Sequence, residues 1–116
     1  MPKYMLLLHD NPAGFATLSP EDIQKVIQKY MSWSAPLRTS GVITESAKLT
    51  DEPGRVVRGK GVEMRVTDGP YSESKEILGG YFTVTADNYE AAVARAAECP
   101  HLEFGGTIEV REVDVI

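Results

Sequence analysis

The chain has 116 residues, 42% hydrophobic and 25% charged, with a formal net charge of −5. That length suits one domain with a core of its own, and an acidic balance without a dense run of Lys or Arg argues against binding to a nucleic-acid backbone. The apolar stretch Tyr4-Met5-Leu6-Leu7-Leu8 is too short to cross a bilayer or to form a signal peptide. The lone cysteine, Cys99, cannot form an internal disulfide and fits a reducing compartment. The expected location is the cytoplasm, with neither a nucleic-acid nor a membrane partner.

Lys3 to His9 reads as a central strand covered on both faces, bounded by Pro2 and Asp10-Asn11-Pro12. A loop from Asn11 to Leu18 leads to a helix start at Ser19-Pro20-Glu21-Asp22. Ser19 can cap, Pro20 has no N–H to leave unsatisfied, and two acids meet the positive end of the helix dipole. The helix carries Ile23, Val26, Ile27, Tyr30, Trp33, Ser34 and Leu37 on one stripe. Pro36 is expected to kink or shorten its last turn, and Gly41 to close it.

Val42 to Leu49 is a second strand, followed by a turn over Thr50 to Gly54. Arg55 to Arg58 and Val62 to Thr67 flank Gly59-Lys60-Gly61 as a hairpin, with Val62, Met64 and Val66 on its buried face. Ile77 to Thr85 is a further strand. Asp87 with Glu90 predicts a capping box for a second helix, whose Tyr89, Val93 and Ala96-Ala97 face the core. Cys99, beside Ala97 and Pro100, reads as a small buried hydrophobe at the end of that helix. Thr107 to Ile116 is the last strand, and a change of phase between Ile108/Val110 and Val113/Val115 predicts a bulge in it.

Strand, helix, strands, helix, strand is the split βαβ order of a ferredoxin-like α+β fold, here with an extra β-hairpin, in one domain over residues 1–116. Both helices then lie on one face of an antiparallel sheet. The other face needs cover. A second copy is the simplest cover, so a homodimer with the sheets face to face, a dimeric α/β barrel, is expected.

The chemistry-bearing stretch runs from Asp68-Gly69-Pro70-Tyr71 through Glu73-Ser74-Lys75-Glu76 to Leu78-Gly79-Gly80-Tyr81. An Asp in a turn accepts from the N–H two residues on, but Pro70 has none. Asp68 must therefore bond elsewhere: to Tyr71 or Ser72, capping a short helical segment over 71–76, or to Lys75. Held by a stiff turn, the carboxylate can face a cleft. Lys75 and Glu76 diverge by about 100° on a helical turn, so only one of them can share that cleft. Ser72 to Lys75 matches the Ser-x-x-Lys of penicillin-recognising enzymes, but the partner motifs are missing and the chain is too short. His9 ends the first strand beside Asp10 and can act as acid or base. His101 lies in a polar loop and is expected at the surface. Two separated histidines without supporting partners make a weak metal site, and no metal or other cofactor is expected.

This stretch, with the opening Lys3 to Leu8, the Leu18-Ser19-Pro20-Glu21 helix start and the closing Gly105-Gly106-Thr107-Ile108-Glu109-Val110-Arg111, resembles the YCII-related family, in its DGPF branch. Tyr71 stands where that branch has Phe. The resemblance implies a dimeric ferredoxin-like barrel with a cleft near the Asp-Gly-Pro turn. Enzymes of the wider superfamily include lactone dehalogenases and heme- or quinone-handling monooxygenases. The better-studied YCII branch pairs a His on the first helix with an Asp after the second. Here the first helix has Tyr30 and Trp33 but no His, and Cys99-Pro100-His101 follows the second, so that dyad is not carried over.

The leading expectation is a pocket for a small polar or aromatic molecule, with His9 and Asp68 as acid–base groups and Tyr71, Lys75, Glu76 and Tyr81 binding the ligand. The rival is a non-catalytic interaction module whose partner, by family analogy, is an extracytoplasmic-function sigma factor.

Overall fold

The computed structural model describes residues 1–11, 18–52, 54–69 and 76–114. Its centre is β1 (Lys3–Asp10), which pairs antiparallel with β5 (Ile77–Thr85) on one side and β6 (Thr107–Glu112) on the other. With β2 (Ile43–Lys48) on the outer edge of β5, the sheet runs β2-β5-β1-β6. Two helices, α1 (Pro20–Thr39) and α2 (Tyr89–Ala97), complete the expected ferredoxin-like α+β order. The extra hairpin, β3 (Arg55–Arg58) with β4 (Arg65–Asp68), forms a separate two-stranded sheet.

Alternation in β1 sorts the sheet into two faces. Tyr4, Leu6 and Leu8 are buried toward the helices, and Tyr4 and Leu6 meet Ile43, Val84, Ala92 and Ala96 in the core. Each fully buried aliphatic such as Leu6 contributes roughly 1.5–3 kcal/mol. Met5, Leu7 and His9 point to the opposite face, which no helix among the described residues covers, and are half-buried. Leu7 has Tyr81 opposite it on one side and Glu109 on the other.

The helix ends follow their sequence signals closely. The Ser19 hydroxyl accepts from the N–H of Asp22 at 3.1 Å, and Gly41, at φ 81°, takes the left-handed turn that ends α1. Other expectations need correction. Pro36 does not shorten α1, which continues through it to Thr39; in the last turn, Ser40 N–H still reaches the Pro36 carbonyl at 3.0 Å. The cap of α2 is Asn88, not Asp87, and accepts from Ala91 N–H at 2.9 Å. That start turns Ala92 and Ala96 inward and leaves Tyr89 and Val93 exposed. On α1 the buried line is Val26 and Ser34, flanked by half-buried Tyr30, Trp33 and Leu37, while Ile23 and Ile27 are exposed.

The hairpin also departs from its pattern. A 3-10 turn over Gly61–Glu63 replaces the first residues of the second arm, and Val62, Met64 and Val66 are all exposed instead of forming a buried face. The sheet irregularities lie in β5 and β2, not in β6: Leu8 pairs with Gly80 and His9 with Leu78, leaving Gly79 as the extra residue, and Ile43 pairs with Val84 and Glu45 with Thr83, leaving Thr44 as another. β6 keeps an unbroken register to Glu112, and Val115 lies outside the described residues.

Candidate functional site

The end of β1 carries polar groups on both faces, and two glycines make room for them. On the helix side, Asp10 lies over Gly79, where an added Cβ would collide with its carboxylate. The bulge and the glycine together create that seat. Across from it comes the 3-10 turn Pro100–Phe104, which follows α2 and brings in His101. Gly106 lies flat against the His101 ring, and a Cβ there would strike it.

His101 is 2% exposed, which corrects the expectation of a surface residue. Its Nε2 lies 2.9 Å from the carbonyl oxygen of His9, which can only accept, so Nε2 carries the proton. Nδ1 is then the acceptor in the neutral ring, and the Tyr30 hydroxyl donates to it at 2.6 Å. The Asp10 carboxylate stands 3.8 Å from the same Nε2. Asp10, His101 and Tyr30 thus form a chain linking β1, the turn after α2, and α1. Burial, with the Cys99 and Asp10 charges as lesser causes, pushes the Tyr30 hydroxyl well above its ordinary range, so it stays a donor. Neighbouring Cys99 is buried, and desolvation raises its thiol, in keeping with the small buried hydrophobe read from the sequence.

His9 occupies the opposite, uncovered face. Its Nε2 is 3.2 Å from Glu109 Oε1, and its side chain is 26% exposed. A carboxylate only accepts, so Nε2 carries a proton, and in the neutral ring Nδ1 keeps its lone pair. The His9 bond first, and then Arg111 at 3.3 Å, hold Glu109 below the usual carboxylate range. Opposite His9 on β6 is Thr107, whose hydroxyl donates to Glu76 at 3.1 Å. Glu76, Thr107, His9 and Glu109 therefore cluster on one side of the same sheet end, with Tyr81 further along that face.

Of the site residues read from the sequence, His9 and Glu76 come together here, and Tyr81 is half-buried on the same face. Asp68 closes the hairpin, 3.2 Å from Arg55 Nε, with an 88% exposed side chain. Tyr71, Lys75 and the expected helical turn over 71–76 lie outside the described residues, except for Glu76. The sequence reading missed Glu109, Asp10 and the buried pair Tyr30–His101. The available signal was Gly105-Gly106 beside Cys99-Pro100-His101, since glycines next to a ring residue mark close packing. Among the described residues no group of three His, Cys, Asp or Glu side chains is placed to hold a metal ion, and no helix is long and apolar enough to cross a membrane.

The sheet order with two helices is a ferredoxin-like α+β arrangement with an extra hairpin. The chain belongs to the YCII-related domain family, whose model matches residues 2–115. No curated protein matches it.

Proposed function

We propose that this protein binds a small polar or aromatic molecule on the uncovered sheet face and moves a proton with His9. The observation that carries this reading is the His9–Glu109 pair at 3.2 Å on a face that no helix among the described residues covers. Glu109 orients the imidazole and stabilises it when it gains a proton, the role a carboxylate plays behind any histidine base. Nδ1 is the atom that takes the proton. Tyr81 and Leu7 offer an apolar wall, and Glu76 a polar contact.

His101 and Tyr30 act from behind. They do not reach the ligand; they hold the His9 carbonyl and so fix the backbone from which His9 projects. His101 is a positioning residue in this account. Tyr71 and Lys75 are proposed as further ligand contacts on the sequence pattern alone, and Asp68, paired with Arg55 at the end of the hairpin, is tested with them.

The test is a thermal-shift screen of small carboxylates, phenols and lactones against the wild type, His9→Gln and Asp68→Ala. A compound that raises the wild-type Tm by several degrees and loses that effect in His9→Gln supports the site. Equal stabilisation of wild type and His9→Gln by every hit, or no hit at all, removes it.

A further inference from the structure

We infer that Arg111 anchors the anionic end of the ligand, which makes the ligand class an elongated carboxylic acid with a hydrogen-bond donor at its far end. The anchor deepens the reading of His9 as the proton-handling group, and the far end of the ligand rests on that reading.

The β1–β6 register sets the geometry. Met5 stands opposite Arg111, Leu7 opposite Glu109 and His9 opposite Thr107. Strand alternation puts these side chains on one face of the sheet, the one away from the helices. Glu109 joins the two ends: its Oε1 accepts from His9 at 3.2 Å and its Oε2 from Arg111 Nη1 at 3.3 Å. The imidazole and the guanidinium therefore flank one carboxylate. Half-buried Leu7 lies beside it, with Tyr81 next to Leu7 on β5.

Arg111 is not used up by that bond. A guanidinium has five N–H donors in a planar fork. Glu109 takes one of them, and the Arg111 side chain is 68% exposed. Lys3 adds to the positive charge. It is exposed one alternation beyond Met5 and makes no ion pair among the described residues. Its carbonyl accepts from Val113 N–H at 2.8 Å, which puts Lys3 diagonally across the strand seam from Arg111.

Charge fixes which way round an anionic ligand lies. At the His9 end stand two carboxylates, Glu109 and Glu76, the latter held by the Thr107 hydroxyl at 3.1 Å. A second anion placed there meets like charge. At the other end Arg111 and Lys3 stand against Glu109 alone, since Glu45 lies across Thr83 and Met5 in the same row. A carboxylate therefore belongs on Arg111, whose fork matches its two oxygens. The body crosses Leu7 and Tyr81, and a neutral O–H at the far end donates to Nδ1 of His9. From Met5 to His9 the strand advances roughly 13 Å, and the two side chains close part of that gap by turning toward Glu109. Such a span suits an elongated acid and not a compact one.

The test compares 3-(4-hydroxyphenyl)propionate with its primary amide by isothermal titration calorimetry at low salt. The two differ only at the end assigned to Arg111. The wild type is expected to bind the acid about tenfold more tightly than the amide, the scale of one charge-assisted contact. Arg111→Gln, at an exposed position, is expected to keep the far-UV spectrum and lose that preference, and Arg111→Lys to regain part of it. Any loosening of Glu109 by these substitutions weakens both compounds alike, so the ratio reports the anchor. Equal binding of acid and amide by the wild type, binding of neither, or a preference that survives Arg111→Gln would overturn it. His9→Gln is expected to weaken both compounds and keep the ratio. If His9→Gln weakens neither while Arg111→Gln still abolishes the preference, the anchor stands and only the His9 reading falls.

Discussion

The two histidines of this chain sit at the same end of the same sheet and differ in almost everything else. His101 is 2% exposed and bonded on both ring nitrogens, to Tyr30 and to the His9 backbone. His9 has a side chain 26% exposed, with one nitrogen held by Glu109 and the face above it uncovered. The first is a fastener: any loss of it leaves buried polar groups without partners, which costs more than the bonds themselves contribute. The second has the access that chemistry on a ligand needs. Strand alternation sends His9 away from the helices and Asp10 toward them, while the 3-10 turn after α2 brings His101 in on the helix side.

Substitutions can break this contrast, beginning with the largest effect. His101→Ala is expected to destabilise the fold by about 3–5 kcal/mol, from the cavity and from the stranded Tyr30 hydroxyl. Gly106→Ala, by forcing a Cβ into the ring, should cost about 1–3 kcal/mol. Urea titration measures both, and a loss below 0.5 kcal/mol in each would mean that the buried ring is not the fastener described. By contrast, His9→Gln, on the open face, is expected to change stability by less than about 1 kcal/mol.

Tyr30→Phe removes one end of the buried chain and should cost about 1–2 kcal/mol at neutral pH. Its signature is at the alkaline end. The folded protein holds the Tyr30 proton more tightly than the unfolded chain, so its contribution is complete below about pH 10 and is lost as pH rises above that value. Tyr30→Phe should flatten that alkaline decline in a series of melts; an unchanged decline would place its origin elsewhere.

Glu109 gives the smallest and opposite effect. Its folded value is depressed, chiefly by the His9 bond, so its contribution is present above about pH 4.5 and fades as pH falls below it. Glu109→Gln is expected to soften the acid limb slightly while strongly reducing any proton transfer by His9, as an orienting carboxylate should. A variant that kept full ligand-dependent activity would detach Glu109 from the site.

Much of the architecture could be read from the residues because local signals and the fold agree. Ser19-Pro20 set the start of α1, Gly41 its end, and Ile77 to Thr85 the bounds of β5. The hairpin failed at the level of burial. Alternation shows that one side of Val62-Met64-Val66 is apolar, yet it cannot show that no part of the same chain reaches it. The site was half legible. His9 stood out at a strand end beside an acid, whereas Glu109 is exactly 100 residues away in sequence and meets it only through the β1–β6 register. His101 looked like a loop residue because its burial depends on Gly106 and on the length of the turn after α2, neither of which has a helical or strand period.

The most direct measurement is the pair of imidazole tautomers, from long-range ¹H–¹⁵N spectra of the neutral rings. The account predicts the proton on Nε2 in both: His101 with a slowly exchanging Nε2–H, and His9 with Nδ1 bare and shifting when a ligand binds. A His9 ring protonated on Nδ1 would contradict the Glu109 pairing, and a His101 ring in fast exchange with solvent would contradict the buried fastener behind it.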